Sequence, residues 1–272
     1  MTNKYYQKPD ANEASDAGTP RGKLKIFFGS CAGVGKTHGM LLAAQEHLKA
    51  GMNIAAGIVE THGRPETEAL LQGIKWVAPL KIPYRGVELM ELNVDAVKAS
   101  KPAIILVDEI AHSNAPGSHH DKRWKDVEQL LDAGIDVYTT LNVQHMDSLR
   151  TAIAQATGVW VNESVPDRIF DGAKDIVFVD TSVKELLKRL DEGKVFVAAG
   201  AMGMARNNFF KEQNLERLRE ITLRYVQERV DNRQLVFQGE DAEDSFSSRM
   251  TQAAQRVTAW MGLSRKVKAP SF

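Results

Sequence analysis

The chain has 272 residues, 35 Lys and Arg against 35 Asp and Glu, and a formal net charge of zero, so no overall field favours DNA, RNA or an anionic membrane. Its single cysteine excludes an internal disulfide and fits a reducing, cytoplasmic setting. No run of ~18 apolar residues marks a membrane span, the N-terminus has no apolar signal core, and no Cys/His spacing suggests structural zinc.

Residues 1–21 read as a disordered leader, rich in Asn, Asp, Gly and Pro. From Lys23 onward strands and helices alternate. Lys23–Phe28 is strand-like, and Thr37–Lys49 is a helix that ends before Gly51. Asn53–Val59 is the next strand, and Pro65–Gly73 the next helix, with Pro65 in its first turn. Ala103–Val107 has the continuous apolar character of a buried parallel strand. Asp121–Asp132 reads as a helix, Ile135–Thr139 as a strand, and His145–Ala156 as a helix closed by Gly158. Asp175–Val179 and Val183–Leu190 follow as strand and helix, and residues 214–230 form a long amphipathic helix. The alternation predicts an α/β domain over residues 22–232, a mostly parallel sheet with helices on both faces. Residues 233–272 read as a linker and a basic amphipathic helix.

The segment between the first strand and first helix, Gly29-Ser30-Cys31-Ala32-Gly33-Val34-Gly35-Lys36-Thr37, has the character of a phosphate-binding loop. Triphosphate oxygens need many donors in a small volume, and glycines let backbone N–H groups converge. Gly29, Gly33, Val34 and Gly35 would form the cradle. Lys36 would reach the β- and γ-phosphates, and the Thr37 hydroxyl would hold magnesium. Serine stands at position 30, where the strict pattern has glycine.

Ile104-Ile105-Leu106-Val107-Asp108-Glu109 reads as the complementary element, an apolar strand ending in carboxylates. Asp108 is the second magnesium candidate, and Glu109 a candidate base for an attacking water. Thr140, Asn142, Gln144 and His145 end the next strand, where an open parallel sheet lines its ligand crevice. They are candidates to sense the terminal phosphate or place water, or else plain turn formers. Arg64 is placed to neutralise phosphate charge, or simply lies on the surface. The histidine-rich loop Ala111–Lys122 reads as a mobile cover over the nucleotide, and Cys31 either permits oxidative control or merely fills a tight turn.

Several strings together resemble one family: FFGSCAGVGKTHGML, VETHGRPET, ILVDEIAHSNAPGSHHDKRWKDVEQLLDAGIDVYTTLNVQH and ESVPD, in this order. They are similar to the N-terminal nucleotide-binding (sensory) domain of the KdpD osmosensitive potassium-channel sensor histidine kinases. The resemblance implies a P-loop NTPase-like three-layer α/β/α fold with further C-terminal helices, binding ATP and magnesium. Its family role is to modulate the kinase and phosphatase activities of a membrane-bound histidine kinase in potassium homeostasis. The implied partners are that kinase's transmembrane and catalytic portions, or its response regulator. The membrane is then met only indirectly, and homodimerisation stays open. His119 and Asp121 stand where the family pattern carries arginine and proline. Full-length members continue into a histidine-kinase core, and the residues after Asp231 are too few for one, so no histidine autophosphorylation is expected. The alternative from the residues alone is a stand-alone P-loop ATPase or kinase with its own substrate.

Overall fold

The computed structural model describes residues 20–195, 209–229 and the strand 235–238. In chain order the first elements are β1 (Leu24–Gly29), α1 (Lys36–Lys49), β2 (Ile54–Ile58), α2 (Pro65–Glu68) and β3 (Lys75–Trp76). Then come β4 (Leu80–Tyr84), β5 (Val87–Glu91), α3 (Val94–Ser100), β6 (Ile104–Val107), α4 (Arg123–Asp132) and β7 (Asp136–Asn142). After them follow α5 (Arg150–Thr157), α6 (Asp167–Asp171), β8 (Asp175–Val179), α7 (Val183–Asp191), α8 (Glu212–Arg229) and β9 (Leu235–Gln238).

The main sheet runs β3-β2-β6-β7-β1-β8-β9, and every neighbouring pair is parallel. Parallel strands are buried on both faces, which is why β1 and β6 are nearly unbroken apolar runs. Successive side chains still serve opposite layers. Ile26 and Phe28 join a core with Val97 of α3, Leu130 of α4, Ile153 of α5 and Leu218 of α8. Phe27, between them, joins a second core with Met40 and Leu41 of α1 and Leu186 of α7. The result is the expected three-layer α/β/α arrangement. An aromatic chain fastens one layer: Phe28 meets Phe170 of α6 at 4.8 Å between centroids, and Phe170 meets Tyr225 of α8 at 5.1 Å.

Three spans differ from the sequence reading. The helix expected over Pro65–Gly73 is α-helical only to Glu68 and continues as a 3-10 turn over Ala69–Leu71. The helix expected from His145 begins at Arg150, after two 3-10 turns, Val143–His145 and Asp147–Leu149. The β7 strand extends to Asn142, three residues beyond the expected end, because Thr140, Leu141 and Asn142 pair in register with Phe27, Phe28 and Gly29. A separate antiparallel hairpin, β4–β5, turns through Arg85 and Gly86 at φ 48° and 84°, the two positive values a tight hairpin turn needs. Among the described residues no helix is long and apolar enough to cross a membrane. The predicted basic helix near the C-terminus and nearly all of the predicted leader lie outside the described residues.

Candidate functional site

The strand ends explain where the site lies. Pairing sets Gly29 of β1 beside Asn142 of β7, and Val107 of β6 beside Thr139 of β7. Because β7 lies between β1 and β6, its end stands between the glycine-rich loop and Asp108. The loop leaves β1, turns back and feeds α1 with Gly33 and Gly35 at φ 90° and 106°, a region open mainly to glycine. Val34 is buried beneath it, and Gly29 is the last residue of β1. Ser30 is buried against Cys31, its hydroxyl 3.8 Å from the sulfur.

Loop and strand end meet directly. The Thr37 hydroxyl donates to Asp108 Oδ2 at 2.9 Å. Thr140 donates its hydroxyl hydrogen to Asp108 Oδ1 and accepts the Glu109 amide at 3.0 Å. The Glu60 amide donates to Asp108 Oδ2 at 3.2 Å. Asp108, 1% exposed, is thus an ordered carboxylate at the foot of a cleft. Lys36 is buried beside it, its ammonium donating to the Cys31 carbonyl at 2.8 Å. Burial pushes the Lys36 pKa down, while the Asp108 and Glu109 carboxylates oppose that shift. Burial and the adjacent Asp108 charge push the Glu109 carboxyl up.

The cleft is lined by Gly33, Gly35, Lys36, Thr37, Asp108, Glu109 and Thr140, so most of the predicted residues converge. Arg64, Asn142 and His145 line it too. Gln144 does not, and its side-chain oxygen is buried without a hydrogen-bond partner among the described residues. Among the liners with titratable side chains, His62, His112 and Glu163 were not singled out as site residues from sequence. Glu163 anchors its neighbours, accepting the Ser113 amide at 2.9 Å while its carbonyl lies 3.0 Å from His145 Nδ1. Burial holds His145 below the ordinary imidazole range.

The loop expected to be mobile is pinned. His112 Nε2 lies 3.2 Å from Glu91, and Ala115 donates its amide to the same carboxylate at 2.7 Å. His120 Nδ1 lies 2.7 Å from Asp126, and Asn114 donates to Asp126 at 2.6 Å. Arg123 and Asp126 are both buried on α4, and spacing is the missed signal: they fall on the helix face shared by Val127 and Leu130. Cys31 is fully buried, and burial pushes its thiol up to about 11. A protonated, enclosed thiol is a poor oxidation target, so the turn-filling reading stands.

The donor set fits a magnesium-bound polyphosphate. Thr37 and Asp108 offer hard oxygens, the kind magnesium prefers, and the loop offers backbone amides with a buried cation. Among the described residues no group of three or more His, Cys, Asp or Glu is arranged to hold a metal alone.

Comparison with known proteins gives one consistent match. The profile of the family described as the osmosensitive K+ channel His kinase sensor domain, KdpD, matches residues 20–230. The sensor protein KdpD of Escherichia coli K12 is 50% identical over 237 residues, which are 87% of this chain and 26% of that protein. The sensor protein KdpD of Clostridium acetobutylicum is 47% identical over 232 residues, 83% of this chain and 26% of that protein. A shorter relative from Synechocystis is 44% identical over 211 residues, 57% of its own length. The chain therefore spans about a quarter of the length of the first two relatives and just over half of the third.

Proposed function

The chain belongs to the KdpD family of osmosensitive potassium-channel histidine-kinase sensor domains, and from that membership we propose that it is an ATP-binding regulatory module of two-component signalling. Its role is to set the kinase and phosphatase balance of a sensor histidine kinase, and so the response regulator, in potassium homeostasis. The observation that carries the reading is the contact between Thr37 and Asp108 at 2.9 Å, with the Lys36 ammonium buried beside it. A hydroxyl, a carboxylate and a buried ammonium beside a glycine-rich loop suit a magnesium–triphosphate better than a neutral ligand. When bound, magnesium would shield the phosphate charges; Thr37 and Asp108 would hold it, and Lys36 and the loop amides would hold the anion.

Isothermal titration of the full chain tests this. Magnesium-dependent ATP binding is expected, and Lys36→Ala should weaken it about 10- to 100-fold, the scale of a lost charge-assisted contact. Equal affinity in both proteins would reject the site. Glu109 favours a second reading, a P-loop ATPase or kinase with its own substrate. Its raised carboxyl pKa moves it towards the range of an effective general base. Glu109→Gln would then bind ATP as before and lose turnover, whereas a purely sensory site has no turnover to lose.

A further inference from the structure

One buried charge stands outside the cleft and reaches two of its acidic residues, Asp108 and Glu109, through their backbone. Arg123 opens α4 with its side chain 4% exposed. Its Nη1 donates to the Asp108 carbonyl at 3.0 Å and, more weakly, to the Glu109 carbonyl at 3.5 Å. Its Nη2 lies 3.4 Å from Glu91 Oε2, the last residue of β5 and itself buried. Glu91 Oε1 faces the cleft-lining His112. Removing such a pair from water costs several kcal/mol per ion, and an apolar residue would fill the space without that loss. The guanidinium does what an apolar residue does not: it spans two carbonyls and a carboxylate.

The peptide it holds is under strain. Glu109 stands at φ 54°, a left-handed value that strains a non-glycine residue. Such a conformation persists only when its surroundings fix it. Thr140 holds the Asp108–Glu109 peptide by its amide and Arg123 holds it by the Asp108 carbonyl; the Glu109 carbonyl beyond it accepts the His112 amide at 3.0 Å, with Arg123 only a weaker second donor there. Without Arg123 the Asp108 carbonyl would lose its bond, and the Asp108–Glu109 peptide would be freer to rotate, redirecting the Glu109 side chain and disturbing Asp108.

We propose that Arg123 is a positioning residue for the magnesium end of the cleft, and that Glu91 fixes Arg123, so that the base of the β4–β5 hairpin sets the geometry of Asp108 and Glu109. This rests on the ATP reading above and adds the control of that site. The charged and titratable groups around the Asp108–Glu109 turn include Lys36 from α1, Glu60, His62 and Arg64 after β2, and Arg123 from α4.

The test uses the full chain with Arg123→Lys, Arg123→Gln and the near-isosteric Glu91→Gln. Amide hydrogen exchange at residues 108–110 is read in the ligand-free proteins, and ATP affinity is read with magnesium and with EDTA. For Arg123→Gln we expect at least tenfold faster exchange at the Glu109 amide. Its ATP affinity in magnesium should fall about tenfold with affinity in EDTA unchanged, a split that general loosening of the fold would not give. Arg123→Lys should lie between, and Glu91→Gln should fall in the same direction by about threefold. Unchanged exchange and an unchanged magnesium-to-EDTA affinity ratio in Glu91→Gln and any folded Arg123 variant would overturn the proposal. If the wild-type chain binds no ATP, the functional reading fails instead, and exchange in the free proteins still decides the positioning claim: acceleration supports it, and no change rejects it.

Discussion

Lys36 and Cys31 share a tight turn and obey opposite rules. A buried ammonium facing a carbonyl is an electrostatic burden on the free protein, so Lys36→Met should leave stability unchanged or raise it by about 1 kcal/mol. The same substitution should sharply weaken ATP binding; paired denaturant melts and titrations separate these effects, and equal losses in both would mark a structural lysine. Cys31 is a stability group at high pH. Its folded pKa of about 11 stands above the ordinary thiol value of about 9 because burial disfavours the thiolate. A raised folded pKa means the contribution is whole below the unfolded value and lost as pH climbs from about 9 to about 11, at about 1.4 kcal/mol per unit of separation. Stability read from denaturant melts should fall more steeply with pH across that window than in Cys31→Ala, and thiol reagents at pH 8 should react only on unfolding. The convergence of Gly33, Gly35, Lys36, Thr37 and Asp108 was legible from residue types, because their pattern and strand–loop–helix setting place them at neighbouring strand ends. Glu163 was not, since a lone carboxylate in a loop carries no period or motif; its role comes from the chain folding back across the Ala111–Lys122 loop.

Elements whose sequence pattern reflects burial were read correctly, and those made by turn chemistry were missed or misplaced. The apolar runs of β1, β6 and β8, and the amphipathic α1 and α8, stand within a few residues of their expected bounds. The β4–β5 hairpin went unread although Arg85-Gly86 marks its turn, because its strands are short and largely exposed. The two 3-10 turns before α5 displaced the start of a helix whose end Gly158 had marked. This division predicts how the elements tolerate change. Leu218 of α8 is fully buried in the core that α4, α5 and α6 share, so Leu218→Ala should cost about 2–5 kcal/mol. Met90 of the hairpin is 48% exposed, and Met90→Lys should move stability by under about 0.5 kcal/mol. Shifts in the denaturant midpoint compare them directly, and a Met90→Lys loss rivalling Leu218→Ala would mean that the hairpin face is covered.

At the scale of the whole molecule, a formal net charge of zero gives anions no long-range guidance, so capture depends on what the cleft itself offers. The cleft joins elements far apart in sequence: the loop after β1, the end of β6, the end of β7 and the segment carrying Glu163. A ligand that touches all of them binds the folded chain and not the unfolded one, and so must stabilise it by mass action. At one hundred times the dissociation constant the gain is about 2.7 kcal/mol. For a domain of this size that corresponds to a rise in Tm of about 5–10 °C. Magnesium–ATP should produce this shift in the wild-type chain, with a smaller one for ATP in EDTA, since the Thr37–Asp108 pair would then hold no metal. Lys36→Met should lose most of it although its own ligand-free melt is unimpaired. A Tm indifferent to magnesium–ATP up to millimolar concentration would set an upper limit on affinity too weak for a nucleotide sensor, and the family's regulatory role would then have to reach this chain through its protein contacts alone.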